Sequence, residues 1–200
     1  MRHLVLTLVL LALSAPALAE RYLSTFGFSV EIPSHWSVMT RNELKDNPDM
    51  LNFDNEIFTN TDRELVRQMI EMVRSGRIEV YFNQRTSTER FADNINVYRQ
   101  PGRIPANNAE LAQACRALPV QLRRAFGRSL NLHTCELRKV AGLRSLYLDF
   151  DGVVEGTRSV QYQVDKGNGE AIVFTLTSRG DTLSTNNREF DSIVGSMILE

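Results

Sequence analysis

Leu146-Tyr-Leu-Asp-Phe150, Val160-Gln-Tyr-Gln-Val164 and Ile172-Val-Phe-Thr-Leu176 are three runs in which apolar and other side chains alternate. A two-residue period is the mark of a strand with one buried face. Asp151–Gly156 and Lys166–Gly169 separate the runs with glycine-bearing polar segments that turn the chain back on itself. Strands joined so closely must run antiparallel, because a parallel pair needs a crossover of about a dozen residues or more. The alternation predicts that Leu146, Leu148, Phe150, Val160, Tyr162, Val164, Ile172, Phe174 and Leu176 share the inward face. The other face then carries Ser145, Tyr147, Asp149, Ser159, Gln161, Gln163, Thr175 and Thr177, which are polar but mostly uncharged. Such a face either lines a binding surface or lies beneath a polar-faced helix.

Upstream of this meander, Leu132–Val140 reads as a strand with His133, Cys135 and Leu137 on one face. Before it, Leu111, Cys115, Leu118 and Leu122 share one face of a helix, with Pro119 expected to kink or restart it. Pro101-Gly102 and Pro105 break the chain ahead of that helix. Ile78, Val80 and Phe82 open a strand whose partner is marked by Ile95 and Val97, with 86–94 as a longer loop. A helix precedes them: Thr61 and Glu64 have capping-box spacing, Asp62 adds charge to the first turn, and Gly76 is placed to end it. Its apolar arc comprises Leu65, Val66, Met69, Ile70, Met72 and Val73. Residues 40–60 read as loop with one helical turn. Phe26, Phe28, Val30 and Ile32 alternate in a first strand stopped by Pro33, and Trp36 and Val38 suggest a second. A closing helix begins at Thr185 or Asn186 and buries Phe190, Ile193, Val194 and Met197. Helices interspersed with hairpin-linked strands define an α+β class, an antiparallel β-sheet flanked by helices in a single domain.

Residues 1–19 have the pattern of a signal peptide. Arg2 and His3 are followed by the run Leu4–Leu13 and by Ala17-Leu18-Ala19, a small-x-small cleavage site before Glu20. The run is shorter than the roughly 20 residues that span a bilayer, so no integral membrane anchor is expected. Residues 20–200 then form the exported domain, periplasmic or secreted. Its 22 basic residues face 24 acidic ones, since the signal holds only Arg2 of the 23. That balance argues against general nucleic-acid binding, which relies on a surplus of cations. Arg116, Arg123, Arg124 and Arg128 make the densest basic patch, read as a solvated helix face or a contact for an acidic partner. Cys115 and Cys135 are the two cysteines, and in an oxidising compartment they are expected to form a disulfide. A metal site built on both cysteines and His133 lacks a fourth ligand.

Recognisable catalytic patterns are missing. There is no GxSxG, P-loop, HExxH or glycine-rich dinucleotide turn. His35 and His133 are the histidines after the signal, and a hydrolase would need one of them beside a serine and a carboxylate. Asp149, Asp151 and Glu155 form the metal candidate, carboxylates suited to a hard cation such as Ca²⁺. The EF-hand pattern fails there, since the twelfth position counted from Asp149 is Val160. An Asp-Gly turn explains the residues without a metal.

The segment Phe26-Gly-Phe28-Ser-Val-Glu-Ile32-Pro33-Ser-His-Trp36 resembles the opening of the PsbP-like superfamily, which includes DcrB-like envelope proteins. The strands around Tyr147 and Tyr162, the run Ala171–Thr177 and the final helix with Phe190, Ile193 and Ser196 are similar as well. The resemblance implies an α/β/α sandwich and no shared catalytic residues, in proteins that act by binding or assembly. Cys115, Cys135 and the 105–130 helical insertion match no pattern of that family. The combined expectation is a non-enzymatic periplasmic protein without cofactor. It would bind an unidentified envelope protein or help assemble or maintain an envelope complex. A small-ligand carrier is the alternative and a hydrolase with a spatial triad the third reading. Tyr147, Gln161, Gln163, Arg123, Arg124 and Arg128 are the expected binding surface.

Overall fold

The computed structural model describes residues 19–47, 63–88 and 91–200; the signal segment through residue 18 and the capping-box pair's Thr61 lie outside them. The chain opens with a hairpin of β1 (Ala19–Ser24) and β2 (Phe28–Pro33), turned at Gly27, whose φ of 79° favours glycine. β3 (Trp36–Met39) and the short α1 (Arg41–Asp46) follow, the latter capped by the Thr40 hydroxyl accepting from the Glu43 N–H. Then come α2 (Arg63–Arg74), β4 (Glu79–Asn83), β5 (Asn94–Pro101) and α3 (Asn108–Phe126). The meander comprises β6 (Leu132–Val140), β7 (Leu143–Asp151), β8 (Thr157–Asp165) and β9 (Glu170–Arg179). α4 (Leu183–Gly195) and a two-residue β10 (Ile198–Leu199) close the chain.

Seven strands pair antiparallel in the order β3-β4-β5-β9-β8-β7-β6, and β1-β2-β10 form a separate small sheet. Gly76 ends α2 as expected. The Gly76 N–H bonds to the Val73 carbonyl and the Arg77 N–H to the Met72 carbonyl, the paired bonds of a left-handed helix stop. α3 continues through Pro119 as one helix, so the expected restart does not occur. Proline removes only one amide donor, and the flanking hydrogen bonds carry the helix across.

Both faces of the large sheet are covered. On one, α4 and the small sheet enclose Phe28, Val30, Tyr81, Ile95, Phe174 and Phe190, all essentially without exposure. On the other, α1 and α2 cover Met39, Val80 and Phe82 near the β3 edge, while α3 covers Leu146, Leu148 and Phe150 near the β6 edge. This double covering corrects the expected facing of β7. Register places Leu148 opposite Gln161 and Tyr147 opposite Tyr162. Leu146, Leu148 and Phe150 therefore lie under α3, on the face opposite Val160, Tyr162 and Val164. Apolar residues alternate along each strand, but the phase differs between neighbours because each face has its own cover. β6 carries a second correction. A register shift between Leu132 and Thr134 leaves His133 out of the ladder, so it does not share the face of Cys135 and Leu137.

Candidate binding surfaces

The expected polar face of the meander divides between the two sides of the sheet. Ser159, Gln161, Gln163, Thr175 and Thr177 lie on the α1–α3 side, joined there by Asn94 and Asn96 of β5. They form a half-buried polar band across the central strands, between the apolar areas under α2 and α3. Their amides and hydroxyls satisfy one another. Gln161 donates to Thr175 Oγ1 at 2.8 Å, Gln163 to Gln161 Oε1 at 2.8 Å, and Asn96 to Asn94 Oδ1 at 3.0 Å. A neutral, internally bonded band has few free donors to offer a ligand.

Tyr147 sits on the opposite side in a different setting. The Arg138 guanidinium lies 3.3 Å above its ring and donates to the Tyr162 hydroxyl at 3.2 Å. Tyr162 in turn donates to Asp191 of α4 at 3.0 Å. Burial pushes the Tyr162 phenol up to about 12, opposed by the Arg138 hydrogen bond and reinforced by Asp191. This stack fastens the end of α4 to β6, β7 and β8.

The metal candidates do not converge. Asp149 is held by Arg158 through two bonds of 2.6 and 3.0 Å, and Asp151 accepts from both amide groups of Asn131. Asp151 also pairs with His133 at 2.6 Å; the His133 and Asn131 hydrogen bonds hold its carboxyl below the usual range. Glu155 is exposed in the β7–β8 turn. Among the described residues no cluster of three potential ligands exists. Asp149 and Asp151 are engaged by neighbouring side chains, as turn and ladder residues are.

His35 and His133 each have a carboxylate partner. His35 Nε2 lies 2.9 Å from Glu189 Oε2, which also accepts from Trp36 Nε1 at 2.7 Å. Neither ring has a serine hydroxyl as partner among the described residues, so the three-part arrangement a hydrolase needs is not assembled there.

Two buried polar sites escaped the sequence reading. Asn186 of α4, fully buried, donates to Asp93 Oδ2 at 2.8 Å and to Ser178 Oγ at 2.9 Å, and accepts from Asn83. Asp93 also accepts from the Arg179 N–H and the Thr182 hydroxyl. Glu79, 1 % exposed, takes hydrogen bonds from Ser24, Thr25 and Tyr81, pinning the first hairpin to the large sheet. Pattern reading ranks such polar residues as surface, and only their neighbours reveal the burial.

The basic residues of α3 complete the survey. Arg123, Arg124 and Arg128 are exposed at its C-terminal end. Val120, Phe126, Val153 and Val154 stand among them, each 41–48 % exposed. Arg128 donates to the Val153 carbonyl at 3.1 Å, joining the end of the helix to the β7–β8 turn. Cys115 and Cys135 form a disulfide that ties this helix to β6, as expected.

No protein-family model matches the sequence, and no curated protein matches it. Solved structures do. Cyanobacterial PsbP (CyanoP) from Synechocystis superposes with a TM-score of 0.55 at 15 % identity, over 94 % of this chain and 95 % of that one. The Ran-binding protein Mog1p from Saccharomyces cerevisiae gives 0.49 at 8 % identity, over 90 % and 96 % of the two chains. A Pseudomonas aeruginosa protein described as a putative regulator gives 0.45 at 14 % identity, over 91 % and 97 %. The chain is an α+β protein with the PsbP-like fold. The link is structural, at low sequence identity, and it agrees with the resemblance of the Phe26–Trp36 segment.

Proposed function

We propose that this protein is an exported, non-enzymatic binding protein that docks the C-terminal end of α3 onto an acidic surface of an envelope protein. One observation carries the reading: Phe126, Val120, Val153 and Val154 are exposed within a cluster of arginines. Arginine and aromatic side chains are enriched where protein interfaces form, and isolated solvated faces do not need the apolar residues. The N-terminal signal pattern and the disulfide both support an exported reading. Among the described residues no helix is long and apolar enough to cross a membrane.

The test is photocrosslinking in intact cells, with the reactive group at position 126 and a control at position 198. A discrete adduct at position 126 alone, lost in the Arg123→Glu/Arg124→Glu variant and weakened by added salt, is the expected result. Equal adducts from both positions, or an adduct that survives charge reversal, would refute the assignment.

A further inference from the structure

The opposite edge of the sheet, by β3, carries a second concentration of positive charge, and here it lines a concavity. One cleft of about 510 Å³ is bounded by Arg41, Asn42, Leu44, Lys45 and Arg74. A second, of about 270 Å³, is bounded by Thr25, Phe26, Arg41, Asn42, Ser75, Gly76 and Arg99. The two share Arg41 and Asn42, so Arg41 stands between adjoining spaces. Four cationic side chains contribute to the walls, and among the described residues no aspartate or glutamate does.

These cations lack the partners found elsewhere. Arg21, Arg138, Arg144, Arg158 and Arg179 each hold a carboxylate. Arg41, Lys45, Arg74 and Arg99 make no ion pair among the described residues. Two of them are nevertheless positioned. Arg99 lies over the Phe26 ring, 5.7 Å from its centre. Arg41 passes beside Gly76, where an added Cβ would stand 3.6 Å from its Cδ, and the φ of 68° there favours glycine. Glu79, hydrogen-bonded to the lining residue Thr25, has its oxygens taken up by Thr25, Ser24 and Tyr81. Unpaired guanidinium groups gathered in a concavity suit oxyanions, whose geometry matches their paired donors.

We infer that the joined clefts beside α1 bind a small molecule carrying two oxyanion groups, one in each space, with Arg41 between them. Phosphate is the simplest such group. Its source is either a free phosphorylated compound or a lipid headgroup. The site lies at the other edge of the sheet from the α3 patch and does not depend on it.

The experiment is isothermal titration of the full chain with inorganic pyrophosphate and, separately, with inorganic phosphate. Vesicles of phosphatidylglycerol, with phosphatidylcholine vesicles as control, form the third arm. Pyrophosphate should bind more tightly than phosphate, with affinity falling as salt rises. Arg41→Ala should weaken it at least tenfold, Arg99→Ala should weaken it too, and Arg123→Ala should leave it unchanged. Binding to the anionic vesicles alone, equally sensitive to Arg41→Ala, would assign the groups to lipid. Amide shifts in the unmodified protein, confined to residues 25, 42, 75 and 76, would locate the site without any variant. Absence of binding in all arms, or affinity unaffected by Arg41→Ala in a variant with an unchanged circular dichroism spectrum, would overturn the inference.

Discussion

α4 and α3 cover opposite faces of the same sheet and are held there by different means. α4 buries Asn186, Phe190, Ile193 and Val194 and is tied to β4, β9 and the residue preceding β5 through the Asp93 network. α3 has no buried residue; it rests on half-buried Leu111, Leu118 and Leu122 and is fastened to the edge strand by the Cys115–Cys135 bond. A helix whose apolar stripe is narrow gains little from packing, so a covalent link takes over part of the work of placing it. Its outer surface is then free of packing demands, and that is where arginine and apolar side chains stand exposed together. The central helix keeps the fold, and the peripheral helix presents the proposed docking patch.

Four experiments probe this contrast. Phe190→Ala should have the largest effect, destabilising the protein by about 3–5 kcal/mol, because an aromatic ring with no exposure leaves a cavity. Denaturant unfolding measures it, and Leu118→Ala on half-buried α3 should cost less than half as much. Reducing the disulfide should cost about 3 kcal/mol for a separation of 20 residues. Hydrogen exchange should then quicken in α3 and leave α4 protected; uniform quickening would mean the two helices unfold as one unit. Asn186→Ala should cost about 2 kcal/mol, since Asp93, Ser178 and Asn83 each lose a buried partner. Finally, Arg123→Glu/Arg124→Glu should move the unfolding free energy by less than about 0.5 kcal/mol while abolishing the position-126 adduct.

Alkaline pH probes burial on both faces, since burial also raises the Tyr98 phenol on the α1–α3 side. Burial raises the Tyr81, Tyr147 and Tyr162 phenols, all on the α4 side, with Tyr162 at about 12. The unfolded chain loses those protons near pH 10 while the folded chain keeps them. The stability they contribute is therefore complete below pH 10 and is lost as pH rises towards 12. Thermal midpoints measured at pH 8, 10 and 11.5 should fall only beyond pH 10, and Tyr162→Phe should flatten that fall.

Much of the fold was legible locally. The meander, the α2 stop at Gly76, the cysteine pair and the apolar face of α4 all follow from period, turn residues and spacing. β1 and β10 were not foreseen: the first overlaps the signal pattern at Ala19, and the second is two residues long. The six expected binding residues proved to occupy three places. Tyr147 lies with Arg138 and Tyr162, Gln161 and Gln163 lie in the neutral band, and the three arginines lie at the end of α3. Separations along the chain carry no information on which distant strands adjoin, so a shared polar character was mistaken for a shared surface.

What the sequence determined by itself is which residues alternate, where the chain turns and which two cysteines can meet, because these depend on neighbours within a few positions or on there being only one pair. Tertiary structure alone decided which side of the sheet each alternating set occupies. A period of two defines two faces without labelling them, and with helices above and below, either face can be the buried one. That labelling sent Tyr147 and Gln161 to opposite sides. It also left Arg41, Lys45, Arg74 and Arg99, drawn from three separate elements, around adjoining clefts.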